Sequence, residues 1–310
     1  MFNVNFTKLQ QELPFKGNSC CNDKKYKQVL IDEIQSNYQF TPKFESLDSI
    51  VGPDEFKRNL NLYKREDFIL GPRDDNSFRS SNEFDNVKKA KFRINLHTHT
   101  KHSDGSMSID DYLNQSIKYA DKVARYNNDN LPPYTSAITD HNNFDGVKEV
   151  IARIADEPQK YKNFKFVPGC EFMFLDDESG FKYPAFEALG YCFNPFDKEL
   201  IGKISKFNSV DLVPKIKEFG GVVSYAHPIR YCQGNGVEPK FIEYLKSKGV
   251  DGIESNYQYV TIKNTKELRD AIEECQELAI KNKFYQTGGT DTHSKNIFSI
   301  GVGNNLDTLI

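Results

Sequence analysis

A chain of 310 residues, 38% hydrophobic and 27% charged, holds enough apolar material for one large soluble domain, or one and a half. It is neither a disordered tail nor a small scaffold stapled by disulfides. With 41 basic and 44 acidic side chains the net charge is −3, so no global field draws the chain onto nucleic acid or an anionic membrane, and any nucleic-acid contact must be local.

The N-terminal MFNVNFTKLQQELPF lacks the basic start and continuous apolar run of a secretory leader. Apolar runs elsewhere last a few residues, against the roughly 18 that span a bilayer. Six cysteines, at 20, 21, 170, 192, 232 and 275, form no CxxC pattern, which predicts neither a disulfide framework nor a cysteine zinc site and fits a reducing cytoplasm.

Residues 1–90 contain no histidine. They predict a helix over 23–40, where Tyr26, Val29, Leu30, Ile34 and Tyr38 recur at helical spacing, followed by a polar loop or linker over 71–86. The segment is expected to be a mainly helical extension that packs on the main domain or mediates assembly. Over 91–310 the pattern alternates. Seven candidate strands, RINLHTH, TSAITDH, FKFVPGCEF, FEALGYCF, GVVSYAHP, GIESNY and FYQTGGTD, are mostly separated by helices such as IDDYLNQSIKYADKVARY, VDLVPKIKEF and TKELRDAIEECQELAIKN. This predicts an α/β domain with a parallel sheet, and seven strands favour a TIM-like barrel over an open sheet.

Six histidines, His97, His99, His102, His141, His227 and His293, stand at candidate strand ends or in the loop after the first strand, where α/β barrels build their active sites. Alternation puts Phe92, Ile94 and Leu96 on one face of the first strand and Arg93, Asn95, His97 and His99 on the other, so the two imidazoles can share an ion. Asp291-Thr292-His293 repeats that geometry at the last strand. A lone HxH can equally be a surface pair, and Asp140-His141, Glu171 or His227 alone can be a hydrogen-bonded strand-end residue. Together they read as a ligand set. Asp104 adds a carboxylate, or else caps the helix beginning near Ile109. Histidine and carboxylate without thiolate, in excess of one tetrahedral set, imply two or three divalent ions, and adjacent ions suit phosphoester hydrolysis. Cys170 and Cys232 are alternative ligands, although alternation turns Cys170 away from Glu171 toward the core.

His97-x-His99, Ser103-Asp104-Gly105, Thr139-Asp140-His141, Pro168-Gly169-x-Glu171, Ala226-His227-Pro228 and Asp291-x-His293, in this order, resemble the PHP (polymerase and histidinol phosphatase) family over about residues 92–303. The resemblance implies a distorted seven-stranded (β/α) barrel carrying a metal cluster, commonly of three ions, that hydrolyses phosphate monoesters or diesters. It implies a first ion on His97, His99, Glu171 and Asp291, a second on Asp104, His141 and His293, and Glu171 bridging toward a third beside His227. Where the family often has histidine, two residues before Leu189-Gly190, this chain has Glu187. Glutamate suits a hard ion such as Mn²⁺ or Mg²⁺, so the third site has either changed its metal preference or lost its ion.

The SDG loop resembles the branch of small phosphoesterases acting on nucleotides or short oligonucleotides, while His102 echoes the histidine of the histidinol phosphatases. Nucleotide-acting relatives often insert a subdomain before the AHP strand. Here about 35 residues separate Tyr191 from His227, which leaves the extension as a candidate pocket wall.

Arg230 is a candidate phosphate clamp or a surface ion-pair partner, Lys101 and His102 can contact substrate, His102 can act as general acid, and Asp140 can orient a ligand. The expected function is a cytoplasmic phosphoesterase using two or three divalent ions (Mn²⁺, Zn²⁺, Fe²⁺ or Mg²⁺), with a metal-bound hydroxide attacking phosphorus. Its expected partner is a small phosphorylated substrate, a nucleotide or short oligonucleotide, rather than long nucleic acid or a membrane. The alternatives are a degenerate metal-binding or regulatory module, and an amidohydrolase-type barrel.

Overall fold

The computed structural model describes residues 19–64, 67–68, 93–126, 132–176, 180–181, 185–232, 236–257, 259 and 265–298. The predicted linker over 71–86, Phe92 and the first fifteen residues lie outside the described residues. All seven predicted strands form: β1 (Ile94–Asn95), β2 (Thr135–Ile138), β3 (Lys165–Leu175), β4 (Ala185–Tyr191), β5 (Val222–Tyr225), β6 (Gly252–Asn256) and β7 (Tyr285–Gly288). They pair in sequence order. The ends meet where Leu96 N–H donates to the Gly288 carbonyl and Thr98 pairs with Thr292, so the sheet is a nearly closed TIM-like barrel.

The sheet is not wholly parallel. β4 runs antiparallel to both β3 and β5. Only residues 176–184 connect β3 to β4, fewer than the dozen or so that a crossover needs to return a strand in parallel. β3 also continues past Glu171 to Leu175, so Glu171 lies within the strand, opposite Leu189, rather than at its end. Because β4 is reversed, Glu187 near its start reaches the same end of the barrel as Glu171.

Among the described residues two α-helices precede the barrel, α1 (Ser19–Tyr38) and α2 (Pro53–Leu60), and seven lie between its strands: α3 (Ile109–Tyr126), α4 (Asp145–Asp156), α5 (Lys198–Ile201), α6 (Leu212–Glu218), α7 (Pro228–Tyr231), α8 (Pro239–Ser247) and α9 (Lys266–Lys281). Their starts are chemically marked. Ser108 and Asp111 satisfy each other's backbone N–H ahead of α3, a reciprocal cap, so Asp104 is not needed there. Thr265 accepts from the Leu268 N–H at the start of α9.

The inward stripe of α1 is Tyr26, Leu30, Ile31 and Ile34, whereas Val29 and Tyr38, expected on the same face, are exposed. Ile31 replaces Val29 because it lies three residues before Ile34 and shares its side of the helix, whereas Val29, five residues before Ile34, is turned away. The stripe packs with Ile138, Val147, Ile151 and Phe166 on the barrel flank. Helix α2 and the residues just before it bring Val51, Phe56 and Leu60 against Ile94, Ala137, Val167, Tyr191 and Val222, with the Phe56 and Tyr191 rings 5.0 Å apart. Ile94 and Val222 begin their strands and Tyr191 ends reversed β4, so α2 closes the barrel floor, at the end away from the histidines. The pre-barrel helices thus form floor and flank. No helix among the described residues is long and apolar enough to cross a membrane.

Candidate metal centre

The chain past β1 stays extended, and Thr98 Oγ1 donates to the Ala137 carbonyl at 2.6 Å, turning Thr98 toward β2 and His97 and His99 together toward the barrel axis. Two glycines permit the close approach that follows. A Cβ on Gly289 would lie 2.3 Å from the His97 nitrogen, and one on Gly105 would lie 2.5 Å from the His99 carbonyl. Any side chain at either position would push a ligand-bearing segment out of place.

Three overlapping groups result, with the ligand atoms of each within 4.8 Å of one another: His97, His99, Glu171 and Asp291; His99, Asp104, His141 and His293; and His141, Glu171 and Glu187. Glu171 Oε2 lies 3.2 Å from the Nε2 of both His97 and His99 and 3.4 Å from His141 Nδ1, while its Oε1 lies 3.0 Å from His227 Nε2. Asp291 Oδ1 stands 3.3 and 3.2 Å from the same two Nε2 atoms. Asp104 Oδ2 is 3.2 Å from His293 and 3.7 Å from His141. Glu187 faces His227 at 3.4 Å and His141 at 3.8 Å. All nine residues predicted as ligands are therefore brought together.

The donor chemistry fits divalent ions. Two imidazole nitrogens, His97 Nε2 and His99 Nε2, sit 3.1 Å apart in a buried site with two carboxylates turned on them, an arrangement that needs a proton or cation at its centre. His99 Nδ1 is buried without a hydrogen-bond partner and lies 3.7 Å from Asp104, so His99 belongs to both of the first two groups. Oxygen and imidazole donors suit Mn²⁺, Zn²⁺, Fe²⁺ or Mg²⁺.

Without ions the histidines themselves must carry the positive charge. Burial lowers the His99 pKa, but Asp291 and Glu171 more than reverse this and hold it at about 10. His97 is raised in the same way by Glu171, Glu254 and Asp291, and His227 by Glu171 and Glu187. Burial pushes the Asp291 carboxyl up, but the charges of His97 and His99 hold it well below the usual carboxylate range. Raised imidazoles therefore stabilise the metal-free fold fully below their unfolded value of 6.5, and that contribution is lost as pH rises toward 10. Metal must displace these protons. Mn²⁺ loading at pH 7 is expected to release protons, and apparent affinity to rise between pH 6.5 and 10; isothermal titration in buffers of different ionisation enthalpy measures both.

The remaining candidates divide. The Asp140 carboxylate belongs to none of the three groups. Its Oδ1 accepts from the Thr100 N–H at 2.7 Å and from Ser103 Oγ at 2.8 Å, and its Oδ2 accepts from Thr100 Oγ1, so it fixes the loop that carries Asp104. Arg230 Nη1 is 3.9 Å from Asp291 Oδ2, beside the first group. His102 turns to Glu149 on α4, 3.6 Å away, instead of to the ligands. Cys170 and Cys232 are buried core thiols: Cys170 packs with Phe172, and Cys232 Sγ donates to the Pro228 carbonyl.

Two residues of the site carry no motif in the sequence. Tyr257 donates its hydroxyl to Asp291 Oδ2 at 2.6 Å, and Glu254 in β6 lies 3.0 Å from His97 Nδ1. The available signal for Glu254 is an acid inside the predicted strand GIESNY.

No family model and no curated protein matches the sequence. Among solved structures, a proposed metal-dependent phosphoesterase from Bifidobacterium adolescentis is similar at 17% identity and a TM-score of 0.47, over 69% of this chain and 91% of that one. An amidohydrolase from Chromobacterium violaceum, with bound sulfate and no metal, is similar at 17% identity and a TM-score of 0.43, over 65% and 88%. At these values neither likeness assigns a function.

Proposed function

We propose that the protein is a divalent-metal-dependent phosphoesterase of the PHP type acting on nucleotides or short oligonucleotides. The observation that carries the reading is the sharing of ligands: Glu171 and His141 each belong to two of the three groups, and His99 joins the first to the second. Groups that share ligands hold ions as neighbours, the arrangement suited to in-line displacement at phosphorus. Divalent ions held there supply Lewis acidity toward phosphoryl oxygens and acidify a coordinated water.

The chain's own residues do the rest. His97, His99 and Glu171 are buried, whereas Asp104 is 53% and His141 28% exposed, so substrate enters on the Asp104–His141 side. Arg230 offers its planar donor fork to phosphate from beside Asp291. Asp140 keeps the Asp104 loop closed over the centre. His102, partly exposed and paired with Glu149, is the rim group for returning a proton to a departing alkoxide. A small phosphorylated substrate, rather than a long polymer, matches the net charge of −3, and four buried free cysteines suit a cytoplasmic setting.

The reading is tested by stripping the protein with chelator, reloading it with Mn²⁺ and assaying phosphate release from nucleoside monophosphates, bisphosphonucleotides, cyclic nucleotides and short oligonucleotides. Turnover that needs Mn²⁺ supports it. Metal-loaded protein inert across the panel would count against it.

A further inference from the structure

Strand β6 lies between the strand that carries His227 and the strand that leads to Asp291, yet it supplies no ion ligand. Its Glu254 is fully buried, and both carboxylate oxygens are engaged. Oε1 lies 3.0 Å and Oε2 3.2 Å from His97 Nδ1, and Oε2 also accepts the backbone N–H of His227 at 2.9 Å. One side chain therefore grips a ligand of the first group and the backbone of the ligand facing the third.

We infer that Glu254 is a positioning residue that sets the ring of His97 and the backbone of His227 together, so that ion binding at the first and third groups depends on the same carboxylate. The inference rests on the metal-centre reading above and adds a residue to it.

An acceptor at Nδ1 fixes the proton of His97 there and turns the Nε2 lone pair toward Glu171, His99 and Asp291; a carboxylate in that role also makes the imidazole a stronger donor to an ion. His227 needs a different kind of help. Its backbone sits at φ 22°, ψ 61°, the left-handed region that a side chain disfavours, and proline follows it directly. The hydrogen bond from its N–H to Glu254 holds that conformation, which aims Nε2 at Glu171 and Glu187. The two rings lie nearly parallel, their centroids 5.7 Å apart, with Tyr257 edge-on to His227 at 5.3 Å, so a shift of either ligand is transmitted to the other.

The test compares wild type with Glu254→Gln, which preserves side-chain volume but cannot accept from both N–H groups through two anionic oxygens, and with Glu254→Asp, which keeps the charge on a shorter stem. Equilibrium dialysis against Mn²⁺ gives ions per chain and affinity, and Co²⁺ absorption reports ligand geometry. E254Q is expected to bind Mn²⁺ roughly 10- to 100-fold more weakly, the usual cost of losing a partner behind a ligand, with fewer ions at a given Mn²⁺ concentration and an altered Co²⁺ spectrum. E254D is expected to recover part of the affinity. If E254Q does not fold, E254D, weakened but folded, carries the comparison.

A variant that melts earlier yet binds Mn²⁺ with wild-type affinity and an unchanged Co²⁺ spectrum would make Glu254 a structural residue and overturn the inference. Wild-type protein that takes up no Mn²⁺ would instead overturn the metal-centre reading, and the inference with it.

Discussion

Glu171→Gln is expected to cost the protein its tightest metal binding and its turnover while leaving the barrel folded. Four histidines face this one carboxylate, His97, His99 and His141 at Oε2 and His227 at Oε1, and it belongs to both the first and third groups. Glutamine keeps the volume but removes the charge and replaces one acceptor by a donor that points at imidazole nitrogens. Loss of a partner behind a metal ligand typically costs roughly 10- to 100-fold in affinity, so loss of a shared ligand should exceed ~100-fold. Metal content and phosphate release, measured on the same preparation, check this. Burial pushes the Glu171 carboxyl up, but the charges of His97 and His141 hold it far below its usual range, so the wild-type group stays ionised throughout the working pH range.

Deleting residues 1–68 is expected to leave no soluble barrel. Leu30, Ile34, Leu47, Ile50, Val51 and Phe56 are essentially solvent-free, and each packs with barrel residues in a shared core. At roughly 1.5–3 kcal/mol per fully buried side chain they contribute on the order of 10 kcal/mol, comparable with the whole net stability of a domain. Truncation would also expose Tyr191 and Val222 on the floor. The milder Phe56→Ala should fold, lose about 3–5 kcal/mol through the cavity it leaves beside Tyr191, and retain its metal, because the floor cluster contains no residue of the three groups. Denaturant melts of both proteins with dialysis against Mn²⁺ decide it. A soluble, cooperative, metal-binding truncation would make the extension an appendage rather than a floor.

The gathering of the candidate ligands was legible in the sequence because strand alternation and spacing act locally. His97 and His99 two apart, and Asp291 and His293 two apart, each share a face whatever the rest of the chain does, and seven apolar strand segments suffice to close a barrel. Orientation was not legible in the same way. The reversal of β4 depends on how few residues join it to β3, and Glu187 reaches the centre only because of that reversal. The partners behind the ligands were hidden for a different reason: Glu254 and Tyr257 act through contacts with residues far away in the chain, which no local pattern records. The turn of His102 toward Glu149 depends on how α4 packs beside the first loop. The exposure of Val29 is a matter of rotation about α1, which the recurrence of apolar residues left open by one position.

We propose that overlapping histidine and carboxylate groups hold several adjacent divalent ions that serve phosphoester hydrolysis. Elemental analysis of protein purified without chelator, paired with phosphate release from a bisphosphonucleotide in added Mn²⁺, tests this. Two or three ions per chain are expected, with turnover lost on chelation and restored by Mn²⁺. One ion or none, and no turnover after Mn²⁺ loading, would contradict it and make Glu187 the mark of a centre that no longer assembles.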